Sequence, residues 1–400
     1  MNRQLGHLGL PLLEIDPYVG LHLDSYSIRL FRLCNDSALV TIRSEIAVQL
    51  EADERFKRIE GKMLSRGMGG CQLNLDMLVL WCVWRINSVG KREAFRDLDH
   101  FLSSPEIDCN YVLWLYGVTI DKSLSIDKNI TITPLKEMPN SDDKERFIQF
   151  SQDMSTIHPT SALKFASKTP KIPINEEPGG FTPPDEPRRL YDAAALLNAL
   201  DDTFCFPGYQ TAYFPESVPL GAFGGGGGGS ELHDVLPRKV SKLSASKIRQ
   251  YRSLITSFST LTNKERRRFH LILRRLGTAK AKQNSAECAL DLGICTEMML
   301  LGDDQKNREL PDSLSHRLRT RGAWLLGRNP SKREIVFNNL RDIYTARSQV
   351  AHAGELSKKK ELKKEHFDLA SEIARKLIRF GGVPSYDKWL RITLGERQQA

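Results

Sequence analysis

The chain has 400 residues, of which 40% are hydrophobic and 27% charged, and its formal net charge is +9. That length exceeds one compact core, so two or three domains are expected, with the composition of a soluble globular protein. No run of eighteen apolar residues occurs, and the stretch MNRQLGHLGLPLLEIDPYVG lacks both a continuous apolar core and a small-residue cleavage site. A membrane span, a membrane partner and a signal peptide are therefore not expected.

In chain order, residues 8–50 mix short apolar runs with alternating patches such as Ser27-Ile-Arg-Leu-Phe-Arg-Leu33, which predicts strands and turns. Gln72–Val89 is heavily apolar and reads equally as a buried strand pair or a buried helix. Tyr111–Ile120 and Ser125–Pro134 have strand composition, with Asp127-Lys-Asn129 as a turn. Lys168–Arg188 contains six prolines and reads as a connector or long surface loop. A short helix is expected over Arg189–Leu200, then aromatic-rich extended chain over Thr203–Phe214. Gly224–Gly229 is a run of six glycines with nothing to bury, expected to lie outside any packed element.

Beyond the glycines the pattern turns helical. Helices are expected over Ser244–Phe258, over Lys264–Lys280 behind a capping signal at Thr262-Asn-Lys-Glu265, and over Ala286–Leu301. Pro311 and Gly327 bracket the next, and Ser331 is a candidate cap for one running from Lys332 to about His352, stopped by Gly354. A charged helix over Lys358–Phe380 ends at Gly381-Gly382. Short joints between such helices predict an antiparallel bundle. The expected organisation is thus multidomain. A β-rich α+β region spans 1–235, with a break near 168–188, and an all-α bundle spans 236–400.

Charge follows the same division. From residue 231 onward there are 35 Lys and Arg against 19 Asp and Glu, while residues 1–230 hold 23 against 30. A basic half joined to an acidic one points to a polyanionic partner for the bundle, a solubilising helical surface being the plain alternative. The seven cysteines are odd in number, scattered and without a CxxC pair, so neither a disulfide framework nor a zinc knuckle is expected. They read as small buried hydrophobes in a reducing compartment, and the expected location is the cytoplasm.

Near the end of the fifth of these helices lies TARSQVAHAGE, which sets Arg347 and His352 five positions apart just before Gly354. Five positions correspond to about 140° beyond one full turn, so the two share no face unless the last turn is frayed or tightened. Arginine can bind non-bridging phosphate oxygens, and histidine can hold or give a proton. By itself the spacing is an ordinary helix end, since basic residues complement the C-terminal dipole. Glu297 is a further candidate, either orienting Arg347 across the bundle or exposed on its own helix. Arg317, Arg319 and Arg321 lie in one helix, with 317 and 321 one turn apart, and are candidates for an RNA backbone, a solvated face being the alternative.

Three stretches in order carry a resemblance: Ala289–Leu301, Ser315–Gly327 and Leu340–Gly354. The second contains R-x-A-x-L-L-G, and the third matches Y-x-x-R-S-x-x-x-H-x-G through Tyr344, Arg347, Ser348, His352 and Gly354. Over residues 260–382 the chain resembles a HEPN domain of the Apea-like branch. That resemblance implies a metal-independent endoribonuclease without a cofactor, working as a homodimer whose two R-x4–6-H motifs face one cleft. Arg347 and His352 would be catalytic, with Tyr344, Ser348 and Glu297 in support. Attack of a ribose 2′-hydroxyl would leave a 2′,3′-cyclic phosphate.

Ser348 stands where many active HEPN nucleases carry Asn, Asp or His. The tyrosine that follows the histidine in antitoxin-regulated members is absent. By analogy with the family the chain would be a toxin-like effector of antiviral defence by abortive infection, acting on RNA such as tRNA. Residues 1–235 would sense an unidentified phage or cellular trigger. The alternative is a catalytically silent HEPN module that binds RNA or scaffolds a dimer. A DNA-binding regulator is weakened by the lack of a helix-turn-helix pattern.

Overall fold

The computed structural model describes residues 4–13, 26–65, 70–142, 144–145, 148, 160–171, 186–219, 227–228, 240–302 and 314–395. The fold mixes helices with a small sheet region, and its contacts divide the chain into two units. The first comprises Met1–Trp114, Asp121–Leu190 and Gly208–Ser230; the second comprises Leu115–Ile120, Tyr191–Pro207 and Glu231–Ala400. No helix among the described residues is long and apolar enough to cross a membrane.

The first unit opens with helices where strands are expected. These are α1 (Tyr26–Cys34), α2 (Val40–Ala52) and the short α3 (Glu54–Ile59). Leu30 and Cys34, then Ile46 and Leu50, are buried at i,i+4 spacing, so the burial follows the helical period. A small hairpin, β1 (Met63–Ser65) with β2 (Gly70–Gln72), precedes α4 (Leu75–Val89) and α5 (Lys91–Ser103). The ambiguous apolar stretch is thus the helix α4. The Asn74 side chain accepts from the Met77 amide at 2.8 Å to start it. Its continuous apolar sequence is explained by burial almost all round, from Leu78 through Trp81, Val83 and Trp84 to Ile86.

The remaining strands of this unit form one six-stranded sheet. They are β3 (Glu106–Tyr116), β5 (Leu124–Ser125), β6 (Ile130–Pro134), β7 (Ser161–Pro170), β8 (Phe206–Tyr213) and β9 (Gly227–Gly228); β4 (Val118–Thr119), just after β3, lies outside this sheet. The order is β5-β6-β7-β3-β8-β9. Leu124 pairs with Ile132 across the predicted turn, and Ile130 pairs with Phe165. β3 lies between β7 and β8, and its Tyr111–Tyr116 stretch is buried throughout, as a strand covered on both faces must be. Gly227 and Gly228 pair with Thr211 and Gln210, correcting the expectation that the glycine run stays out of every element. Ladder hydrogen bonds need only backbone, which glycine has. The predicted break near 168–188 falls largely outside the described residues; β7 covers its first part, to Pro170.

The second unit is helical, apart from a two-residue parallel pairing of β10 (Ser241–Lys242) with β4. It holds α7 (Ala245–Ser259), α8 (Asn263–Ala281), α9 (Ser285–Leu300), α10 (Leu314–Leu326), α11 (Pro330–Ala353), α12 (Lys364–Arg379) and α13 (Tyr386–Thr393). Side-chain caps start four of them: Ser244, Thr262, Asn284 and Asn329 accept amides at positions 247, 265, 286 and 332 respectively. Asn329 replaces the expected Ser331 because Pro330 occupies the first helical position, where its missing N–H is no loss. Lys358–Lys360 forms a separate 3-10 turn before α12, and α13 is an addition to the predicted set. Joints at 282–284 and 327–329 fold α9 back on α8 and α11 back on α10.

This unit also claims a segment expected within 1–235. The helix α6 (Glu186–Leu197) enters it at Tyr191, and the chain from there to Pro207 is tied down by long polar side chains. Lys280 Nζ donates to the carbonyls of Asn198 (2.7 Å), Leu200 (2.7 Å) and Thr203 (3.2 Å). Arg375 donates to Ala199 O at 2.7 Å and Asp201 Oδ1 at 2.6 Å, and Tyr251 OH donates to Ala193 O at 2.7 Å. Carbonyls at the end of a helix and in the turn beyond it have no intrahelical donors, and these side chains supply them. Lys280→Met is expected to lower unfolding stability by about 3 kcal/mol in a denaturant titration, with the slope unchanged.

Candidate functional site

The sequence-predicted residues lie on α9, α10 and α11, and the structure treats them differently. α11 stays α-helical through Ala353, and Gly354 closes it at φ 74°, donating its amide to Val350 O at 2.8 Å. A left-handed terminator at that position costs glycine nothing. The expected frayed last turn is therefore absent. Taking Arg347 as origin, Tyr344, Ser348 and His352 lie about 60°, 100° and 140° around the helix. All four occupy one side of α11, but Arg347 and His352 diverge across it.

Arg347 is set by α9. Ala289, Gly293 and Glu297 recur every fourth residue and so form one face of that helix. Ala289 packs with Ala346 and Val350, closing the two helices together. A Cβ on Gly293 would lie 2.4 Å from both Cβ and Cγ of Arg347, so the arginine stem crosses α9 where there is no side chain. One turn on, Glu297 Oε1 lies 3.4 Å from Arg347 Nε. The pair is partly exposed, 31% for the arginine side chain and 26% for the carboxylate. Of the two readings open for Glu297, the structure brings it to Arg347.

Burial raises the Glu297 pKa above the ordinary glutamate value, and the Arg347 charge opposes that rise. A carboxyl whose folded pKa is raised binds its proton more tightly in the fold. Its contribution to stability is present at low pH and fades as pH climbs through the folded value. Glu297→Gln is expected to remove that decline, which chemical denaturation measured from acid to neutral pH would read directly.

His352 is exposed in the last turn of α11 and makes no hydrogen bond or ion pair among the described residues. Tyr344 and Ser348 are half-buried. The three arginines of α10 part ways. Arg321 is 4% exposed, donates Nη1 to Leu300 O at 2.8 Å, and lies 5.4 Å from the Trp389 ring. It caps the end of α9 and is turned away from solvent, correcting the expectation that it holds an RNA backbone. Arg317 is half-buried.

Arg319 lies 3.8 Å over the Phe337 ring, which also packs against His316 at 6.1 Å. Burial lowers the Arg319 pKa, and the nearby Arg341 charge adds to that, against Asp342. Arg341 is exposed, and its Nε lies 3.2 Å from Asp342 Oδ1. Arg341 and His352 are eleven residues apart, which brings them within about 20° on the helix and about 16 Å along it. A basic and aromatic band thus runs from Arg319 and Phe337 through Arg341 to His352. The signal for it was available: Phe337, Arg341, Ser348 and His352 all fall on one stripe of α11.

None of the seven cysteines forms a disulfide, and six are buried. Burial pushes Cys34, Cys82 and Cys295 up to about 12 and Cys288 to about 11, so these thiols stay protonated and poor nucleophiles. No family model matches the chain, and neither a curated protein nor a solved structure matches it.

Proposed function

We propose that the helical unit is a metal-independent endoribonuclease of HEPN type. The observation that carries this reading is the placement of Arg347, its stem crossing Gly293 and its guanidinium against Glu297, on the side of α11 that also bears Tyr344, Ser348 and His352. A guanidinium steered at Nε presents its Nη groups to a phosphate. In the reaction, the ribose 2′-hydroxyl attacks the adjacent phosphorus and the P–O5′ bond breaks. His352 moves the proton, from the 2′-hydroxyl or to the departing 5′-oxygen, and Arg347 stabilises the charge that builds on the phosphoryl oxygens. The products are a 2′,3′-cyclic phosphate and a 5′-hydroxyl.

The divergence of Arg347 and His352 on one helix supports a dimer in which two copies of α11 face one cleft. The band of Arg319, Phe337 and Arg341 supports single-stranded RNA as the substrate, since guanidinium planes and rings take bases while cations take phosphates. On this reading the first unit restrains or triggers the nuclease in an antiviral role acting from the cytoplasm. A silent RNA-binding module is the second reading, favoured by the same basic band but indifferent to the Arg347–Glu297 pair.

The test is cleavage of an RNA oligonucleotide in EDTA beside a copy carrying one 2′-deoxyribose at the mapped cut. Cleavage of the first alone, leaving cyclic-phosphate ends, is expected. Cutting of both, or binding without cutting, would overturn the nuclease reading.

A further inference from the structure

A cleft of the helical unit lies apart from Arg347 and His352. It has a volume of about 650 Å³, within the range of small-ligand sites. One wall is the outward face of α8, where Arg274 and Thr278 recur at four-residue spacing, with Arg275 beside them and Lys282 just beyond the helix end. The opposite wall comes from the Tyr191–Pro207 segment and includes Tyr191, Ala195 and Phe206. His270 sits at the edge, hydrogen-bonded through Nε2 to Asp192.

One carboxylate stands inside this basic lining. The Asp291 side chain is only 4% exposed, with Arg275 Nη1 at 2.6 Å from Oδ1 and Lys282 Nζ at 2.9 Å from Oδ2. It gathers two cations of the cleft, and an incoming phosphate would compete with it for both, and for Lys282 with Glu287 as well, whose Oε2 lies 3.0 Å from Nζ. Ring-bearing Tyr191 and Phe206 across the space offer a base its apolar contact. We propose that this cleft binds a phosphorylated small molecule of nucleotide size, its phosphate held by Arg274, Arg275 and Lys282.

Asp291 belongs to α9, the helix that also positions Arg347. Asp291 and Gly293 are two residues apart, about 200° around the helix, so the cleft and the Arg347–Glu297 pair lie on opposite faces of the same element. A ligand that draws Arg275 and Lys282 from Asp291 changes what holds that helix, and so adjusts the seat of Arg347. This coupling rests on the ribonuclease reading; the binding does not.

Calorimetric titration of the full chain with AMP, ATP, inorganic phosphate and adenosine tests the site. AMP or ATP is expected to bind with a Kd below about 1 mM, and adenosine and phosphate each at least about tenfold more weakly. Arg274→Glu, which reverses an exposed charge, and Ala195→Trp, which fills the cleft, should each weaken binding at least about tenfold. Their melting temperatures should stay within a degree or so of wild type. No nucleotide binding, or binding indifferent to both substitutions, overturns the proposal. Where RNA is cut and nucleotide binds, the cleavage rate must change several-fold, and an unchanged rate removes the coupling. Nucleotide binding without any cleavage leaves the site standing and removes the nuclease reading; cleavage without nucleotide binding does the reverse.

Discussion

His352→Ala is expected to lower RNA cleavage by about 10²–10⁴-fold, the usual weight of a positioned proton-transfer group, while leaving the melting temperature in place. The side chain is exposed at the end of α11, so its removal opens no cavity and strands no polar partner. Loss of activity with intact stability would therefore belong to chemistry. Arg347→Ala is expected to cost as much in rate, but with a stability change of its own, because it leaves the half-buried Glu297 without its counter-charge. Arg347→Lys should recover stability better than rate, since an ammonium keeps the charge but not the planar fork. Equal cleavage by wild type and His352→Ala would exclude His352 from the reaction.

The second large effect is expected at a residue that touches no substrate. Gly293→Ala places a methyl 2.4 Å from Arg347 Cβ and Cγ, and the Cβ is anchored to α11, so the two helices must part or the arginine must move. Overpacking of this kind costs about 1–3 kcal/mol. A displacement of about an ångström at the guanidinium costs about 10²-fold in rate. Gly277→Ala is the matched control. Its methyl would lie 2.6 Å from Asn198 Cγ, a similar clash in the same unit but away from Arg347. The control should lose comparable stability and keep the turnover of its folded fraction, whereas Gly293→Ala should lose both. If the two variants behave alike in turnover, the seat of Arg347 on α9 is not what positions it.

Why those effects could be anticipated at some positions and not others depends on how local each signal is. Thr262 with Glu265 and Gly354 are written within a few residues of the helix ends they make, and the boundaries of α8 and α11 follow them closely. The Ala289–Gly293–Glu297 face is equally local, but its meaning depends on which helix lies across it. Sequence alone left Glu297 open between an ion pair and an exposed surface for that reason. Arg317 and Arg321 share a face by spacing, yet the end of α9 and Trp389 pack over Arg321, and nothing within one turn announces them. Arg319 and Phe337 belong to different helices, so their stacking is a tertiary fact.

The N-terminal region misled through short alternation. Ser27–Leu33 alternates for a few residues, whereas the buried Leu30 and Cys34 mark a four-residue interval. A window that short fits both periods. The Tyr191–Pro207 segment reads by its neighbours in sequence as part of the N-terminal region, but the residues that hold it are Tyr251, Lys280 and Arg375, from 58 to 176 positions later. Long-range donors of this kind leave no mark on the segment they anchor.

The proposed chemistry requires Arg347 and His352 to serve one phosphate although they diverge on a single helix. Mixing Arg347→Ala and His352→Ala proteins under conditions that exchange protomers, with mass measured alongside cleavage in EDTA, decides whether they do. Each variant alone is expected to be inactive, and the mixed dimer, whose shared cleft retains one arginine and one histidine, is expected to regain part of the wild-type rate. Mixed dimers that form and cut no faster than their parents, or a wild-type protein that cuts as a strict monomer, would contradict it.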